Sequence, residues 1–396
     1  MLLKITRDIK IPDSLKVERF KRTPDIGPKI LFFSGGTAIK NLSQELLKYT
    51  HNSIHVISTF DSGGSSAKLR DVFKMPAIGD IRNRLMALAD RSFTGNPEIF
   101  NLFAYRFPKN KDNTKLKQEF MKMINGNHPL VAKIHDPMRK IIRHYLYLFK
   151  KNIPKTFDFS NASIGNLILT GGYIENKRHL DPVIYIFSRL VQVRGVVRPI
   201  LNKHLHLIAE LEDGRTIVGQ HLITGKDVLP INSRIKNLYI SETTGNPEPL
   251  EIPIRNKLII LIQEAELICY PMGSFFSSIL ANFLPKKTGT TISQTNCPKI
   301  FIPNTGNDPE AYEMDLNLQI DKLLYYLKKD DPNTINTSDV LNYVLIDSNY
   351  KSFYKNINYK NIKKLGIEII ASPIISEDSY PYIDEKLLLP VILSLC

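Results

Sequence analysis

Apolar residues in this chain gather into short unbroken runs, separated by longer stretches of helical period. Lys29-Ile-Leu-Phe-Phe33, Ile54-His-Val-Ile-Ser-Thr59, Glu266-Leu-Ile-Cys-Tyr270 and Lys299-Ile-Phe-Ile302 each give way to turn-forming residues, and they predict strands covered on both faces. Residues 343–346 and 367–370 repeat the signal. Apolar positions three and four apart predict helices over 39–49, 180–193, 252–264 and 318–328, with others starting within 76–90 and 163–172. This alternation predicts an α/β fold, doubly wound about a mainly parallel sheet. Residues 93–155 depart from it. They carry helical period, basic and aromatic residues and no strand signal, and read as a helical insertion. The insertion offers a lid or a homo-oligomer surface, although simple packing of an amphipathic helix pair is the weightier reading. Strands at 196–200, 206–211 and 216–219, the last two joined by Glu212-Asp-Gly214, predict a β-hairpin excursion.

No repeat or low-complexity linker divides the 396 residues, so 1–26 read as an N-terminal extension over the core and 27–396 as one α/β domain. The apolar fraction of 43% is ample for that core. The closing run from Leu387 to Cys396 is too short for a bilayer and is broken by Pro390, so it reads as a buried terminal element, with no membrane as partner. The first seven residues lack the apolar stretch of a secretory signal, and Cys269, Cys297 and Cys396 match no disulfide or zinc spacing; both point to a cytoplasmic location. His204 and His206 share a strand face but have no third ligand nearby. The net charge of +14 is scattered among Asn and Ile residues without an aromatic platform, so nucleic acid is not expected. A positive field concentrates phosphorylated metabolites instead.

The candidate chemistry lies where predicted strands end. Ser34-Gly-Gly-Thr37 follows the first strand and Asp61-Ser-Gly-Gly-Ser-Ser66 the second. Glycine lets backbone amides approach an anion without a Cβ, and helix starts favour negative charge. Gly35, Gly36, Thr37, Gly63 and Gly64 are therefore candidate phosphate binders. Ser65, Ser66 and Lys68 add hydroxyls and charge, as does Arg70, and Arg82 and Asn83 sit in the first turns of the next helix. Gly273, Ser274 and Ser278 follow a later strand and face the first two loops, with Phe275 packed nearby; Asn166 and Asn304 stand at element boundaries. The chain has neither GxxxxGK[ST] nor GxGxxG.

Taken together these motifs resemble the CofD/YvcK family over roughly 30–309. Ser34-Gly-Gly-Thr-Ala38 is similar to its Gly-Gly-Gly-Thr-Gly loop, Asp61-Ser-Gly-Gly-Ser-Ser-Ala67 to its Asp-Asp-Gly-Gly-Ser-Ser-Gly, and Gly79-Asp-Ile-Arg-Asn83 is identical to its helix motif. Gly165-Asn-Leu167, Ser188-Arg-Leu-Val-Gln-Val-Arg-Gly195, Ala209-Glu-Leu-Glu-Asp-Gly214 and the loop Gly273–Ile279 extend the likeness. The resemblance implies a Rossmann-like core that binds a nucleotide diphosphate derivative. One branch transfers a phospholactyl-type group from a guanosine diphosphate conjugate to a deazaflavin hydroxyl, with magnesium and release of GMP. The other, which this chain resembles more closely, comprises regulators that bind UDP-sugars and influence carbon metabolism and cell-wall supply. The expected ligand is thus a UDP-sugar or a GDP conjugate, and enzyme and regulator both stay open. Asp61 is the candidate Mg²⁺ ligand and acceptor-orienting base, the alternative being a cap for its own turn. Ser62 stands where the family pattern has a second aspartate, and Ser34, Ala38 and Ala67 where it has glycine.

Overall fold

A computed structural model describes residues 8–92, 95–225, 228–349, 353–354 and 357–396; residues 1–7 of the expected extension and 93–94 at the head of the expected insertion lie outside it. Helix α1 (Ser14–Arg22) precedes β1 (Ile30–Ser34), which leads through α2 (Lys40–Leu46) to β2 (Ile54–Ile57). Then come α3 (Gly64–Phe73) and α4 (Gly79–Ala87). A helical layer follows, of α5 (Pro97–Ala104), α6 (Asn113–Asn125), α7 (Pro129–Ala132), α8 (Met138–Asn152), α9 (Ile164–Glu175) and α10 (Leu180–Leu190). The chain re-enters the sheet at β3 (Val196–Pro199), and the excursion is β4 (His206–Leu211), β5 (Thr216–Val218), α11 (Gln220–Ile223) and β6 (Ile235–Ser241). The second half runs α12 (Asn256–Gln263), β7 (Leu267–Tyr270), α13 (Thr288–Ser293), β8 (Lys299–Phe301), α14 (Leu316–Lys328) and α15 (Thr337–Val340). It ends with β9 (Tyr343–Asp347), α16 (Tyr359–Lys364), β10 (Glu368–Ser372) and α17 (Glu385–Ser394).

Seven strands form one parallel sheet in the order β10-β9-β8-β7-β1-β2-β3. The expected doubly wound α/β fold is what the chain adopts. Strand β1 shows why its run is unbroken: successive side chains point to opposite faces, and both faces are covered. Leu31 and Phe33 enter one core with Ile268 and Tyr270, while Ile30 and Phe32 enter another with Leu388, Leu389 and Ile392 of α17. The apolar C-terminal run is therefore a buried helix. Helix α1 lies on it, with the Asp13 N–H donating to Ser394 Oγ at 2.7 Å. A third core joins α3 and α4 to the helical layer. That layer continues past residue 155 through α9 and α10, because Phe73, Phe149, Phe157 and Phe187 share one apolar interior.

Two elements differ from expectation. The helix expected over 252–264 begins only at Asn256, since residues around Pro253 are extended: Lys286 N–H donates to Ile252 O at 2.8 Å and Ile254 N–H to Lys286 O at 3.0 Å. The hairpin excursion is a three-stranded antiparallel sheet, with the unforeseen β6 pairing β4 on the side opposite β5. No helix among the described residues is long and apolar enough to cross a membrane. The His204 and His206 rings meet edge to face at 4.8 Å, and the described residues hold no cluster of three or more metal-binding side chains.

Candidate functional site

The chain winds away from the β1/β7 boundary in both directions, through β2 and β3 on one side and β8 to β10 on the other. Open α/β sheets leave a crevice at the carboxyl ends of the strands at such a switch point. Here the loops after β1, β2 and β7 part around a cleft of about 700 Å³. Of the residues expected from sequence, Gly35, Gly36, Thr37, Asp61, Gly63, Gly273, Ser274, Ser278 and Asn304 line it.

Two buried arginines shape the glycine loops from behind. Arg84 donates through Nη1 to Ile39 O at 2.8 Å and to Ser43 Oγ, and through Nη2 to Gly35 O and Gly36 O at 3.4 and 3.3 Å. A trans peptide points its carbonyl and the next N–H in opposite directions. Drawing the Gly35 and Gly36 carbonyls back to Arg84 therefore turns the N–H groups of Gly36 and Thr37 toward the cleft, and neither has an acceptor among the described residues. Burial pushes Arg84 down to about 10, with Asp80 opposing, so it stays ionised at neutral pH. Arg70 holds the second loop in the same way, donating to Thr59 O and Asp61 O at 3.2 and 3.3 Å and to Leu205 O at 2.6 Å. It supports the loop and does not line the cleft. Close packing explains the first glycine pair: a Cβ on Gly35 would run into Ser278 Oγ, and one on Gly36 into the Asp80 carboxylate. Gly64 is different, since its Cβ would meet nothing and its requirement is a φ of +50°.

The cleft is acidic. Asp61, Asp80 and Glu385 line it, and among the described residues no lysine or arginine does. Asp61 Oδ1 accepts from the Gly63 N–H at 3.0 Å, the local turn foreseen as its alternative role, while Oδ2 stands 3.5 Å from where a Cβ on Gly79 would lie. Mg²⁺ often takes one or two protein carboxylates and completes its shell with waters and ligand phosphates. Asp61, in the second glycine loop, and Asp80, against Gly36, are the carboxylates of the cleft nearest the glycine loops.

The loop after β7 turns tightly through Phe275–Ile279. Its amides are already taken: Asp308 accepts from Phe275 N at 2.7 Å, and Glu310 from Phe276 N and Ser277 N at 2.9 and 2.7 Å and from Ser277 Oγ. Ser274 and Ser278 face the cleft, whereas Phe275 lines an adjoining chamber of about 480 Å³ that shares Gly273, Asn304 and Thr305 with it. Burial and the neighbouring Asp308 push the Glu310 carboxyl up to about 8. The folded state then binds this proton more tightly than the unfolded chain, so stability is fullest below about 4.5 and falls as pH rises toward about 8. Glu310→Gln should flatten the pH dependence of Tm across that window; an unchanged slope would place the titration elsewhere.

The remaining expected residues lie apart from the cleft. Ser66 is buried against Gly79, and Lys68 pairs with Asp158 and Ser160. Arg82 packs on Gly165 and donates to Asn83 Oδ1 at 2.6 Å; burial and the nearby Arg106 push it down to about 10. Ser65 accepts from Asn166 Nδ2 at 3.2 Å and Arg106 Nη1 at 3.4 Å. Arg84 and the segment Gln220, His221 and Thr224, which closes the cleft from the excursion, are not among the residues expected from sequence. A basic residue four positions after Asp80 was the available signal for Arg84; α11 carries no motif.

A model of the family described as 2-phospho-L-lactate transferase CofD matches residues 30–375. A gluconeogenesis factor of Bacillus subtilis is 29% identical over 288 residues, covering 71% of this chain and 69% of that protein. One of Listeria monocytogenes is 25% identical over 355 residues, covering 89% and 90%. The crystal structure of a UPF0052 family member from Bacillus halodurans superposes with a TM-score of 0.65 at 20% identity, covering 92% of this chain and 99% of that one, and so shares the fold. With the family match spanning most of the chain and the sheet that carries the cleft, this protein belongs to the CofD family.

Proposed function

We propose that the cleft binds a nucleotide diphosphate derivative, a UDP-sugar or GDP conjugate, and that the protein is a regulator of carbon or cell-wall metabolism. The observation that carries this reading is the pair of N–H groups at Gly36 and Thr37, without an acceptor among the described residues and held toward the cleft by Arg84 at the switch point. Such amides suit phosphate oxygens. The acidic lining repels a bare diphosphate, so Mg²⁺ on Asp61 and Asp80 would neutralise it when bound. The adjoining chamber sets the rings of Phe275, Phe301 and Tyr354 among polar side chains such as Asn304 and Gln319, a mixed lining that suits a nucleoside. Relatives named gluconeogenesis factors support the regulatory half of the reading. A thermal-shift panel of GDP, UDP, UDP-sugars and GTP, with and without Mg²⁺, tests it. A diphosphate nucleotide at 100 times its Kd adds about 2.7 kcal/mol, a clear rise in Tm; a flat response across the panel would refute the reading.

The second reading is a transferase, favoured by two carboxylates facing one cleft. An acceptor hydroxyl oxygen would bond to the phosphorus that carries a phospholactyl-type group, the P–O bond to the nucleoside monophosphate would break, and Asp61 would take the hydroxyl proton. The backbone amides would hold the phosphate in line, since such reactions depend on alignment and charge neutralisation more than on a covalent nucleophile.

A further inference from the structure

His221 is the one basic side chain among the described residues lining an otherwise acidic cleft. It stands at the second position of α11, and Ser62 holds it from the β2 loop. Ser62 Oγ accepts from the His221 backbone N–H at 3.2 Å and meets the ring Nδ1 at 2.8 Å. No other partner of this hydroxyl occurs among the described residues, so Nδ1 is the one acceptor they offer its proton. A neutral imidazole that accepts at Nδ1 carries its hydrogen on Nε2. The pairing also depends on the backbone: Gly219 has a φ of +105°, and a Cβ there would lie 3.1 Å from the His221 ring and 3.3 Å from Ser62 Oγ.

We propose that Ser62 fixes His221 in the Nε2–H form, so that the ring donates a hydrogen bond to a phosphate oxygen of the diphosphate ligand. This rests on the nucleotide reading above and adds a specific donor beside the second glycine loop. Its chemical logic is the composition of the cleft. Asp61, Asp80 and Glu385 offer only acceptors to a ligand whose exposed oxygens are acceptors too, and His221 supplies a donor without a permanent charge. Ser62 is then a positioning residue that acts through the ring.

Titrations of the whole chain with GDP and UDP in the presence of Mg²⁺ test the proposal. His221→Phe should weaken the nucleotide that the native protein binds by about tenfold to a hundredfold, the range for a hydrogen bond to a charged group. His221→Gln, whose amide N–H can occupy the Nε2 position, should recover most of that loss. Ser62→Ala should cost several-fold, and nitrogen NMR of the histidine ring should change from the Nε2–H form alone to a mixture of tautomers. Native affinity in His221→Phe, or an Nδ1–H ring in the native protein, would overturn this inference while leaving the nucleotide reading intact. Failure of the native protein to bind either nucleotide would overturn both.

Discussion

Replacing Arg84 with methionine should lower stability by about 3 kcal/mol or more and abolish nucleotide binding, because one side chain serves both. The guanidinium satisfies the carbonyls of Gly35, Gly36 and Ile39 and the hydroxyl of Ser43 in a fully buried setting. Each buried acceptor left unsatisfied costs about 1–3 kcal/mol. The same loss frees the Gly35 and Gly36 peptides to rotate, and the amides that face the cleft lose their aim. Arg84→Lys should rescue little, since an ammonium cannot fork across three carbonyls. Chemical denaturation and nucleotide titration of both variants check this. Near-native stability in Arg84→Met would mean that water or a neighbouring group replaces the guanidinium.

The second large effect is expected at the carboxylates. Asp61→Asn and Asp80→Asn should each remove most of the Mg²⁺-dependent part of nucleotide affinity, with a loss of tenfold or more when both are changed. Folding should hardly change in Asp61→Asn, because the amide oxygen can still accept from Gly63. If the protein is a transferase, release of nucleoside monophosphate from a diphosphate conjugate and a hydroxyl acceptor should fall further than affinity does, since charge neutralisation matters most in the transition state. If it is a regulator, no monophosphate appears with native protein or variant. Calorimetry with and without Mg²⁺, together with mass spectrometry of the products, separates these outcomes. Full Mg²⁺-dependent affinity in the double variant would move the ion elsewhere.

Much of this arrangement is legible in the sequence. Parallel strands buried on both faces leave unbroken apolar runs, and Ile30–Ser34 and Leu267–Tyr270 are such runs. Glycine pairs follow the first and second of the sheet's strands in the chain, Gly35-Gly36 after Ile30–Ser34 and Gly63-Gly64 after Ile54–Ile57, and point to the carboxyl edge of the sheet. Strand Ile235–Ser241 escaped notice because Lys236 and Asn237 interrupt its apolar pattern and its partner β4 is remote in sequence. The helix motif Gly79-Asp-Ile-Arg-Asn83 was recognised as important, but Arg82 was assigned the role of anion binder. Helical geometry places it outside the cleft: Asp80 and Arg84, four apart, share the face toward the first glycine loop, while Arg82 is turned away and lies on Gly165. Sequence proximity also grouped Ser65 and Lys68 with Gly63, although α3 carries them off toward Asn166 and Asp158. His221 depends on a contact between positions 62 and 221 that no local pattern records.

A crystal structure of the protein with Mg²⁺ and whichever of GDP or UDP binds more tightly tests the central claim most directly. Diphosphate oxygens are expected within hydrogen-bonding distance of the Gly36 and Thr37 N–H groups, with the ion between them and the Asp61 and Asp80 carboxylates. A diphosphate seated instead against Ser65, Arg82 and Arg106, leaving the cleft at the β1/β7 boundary empty, would contradict it.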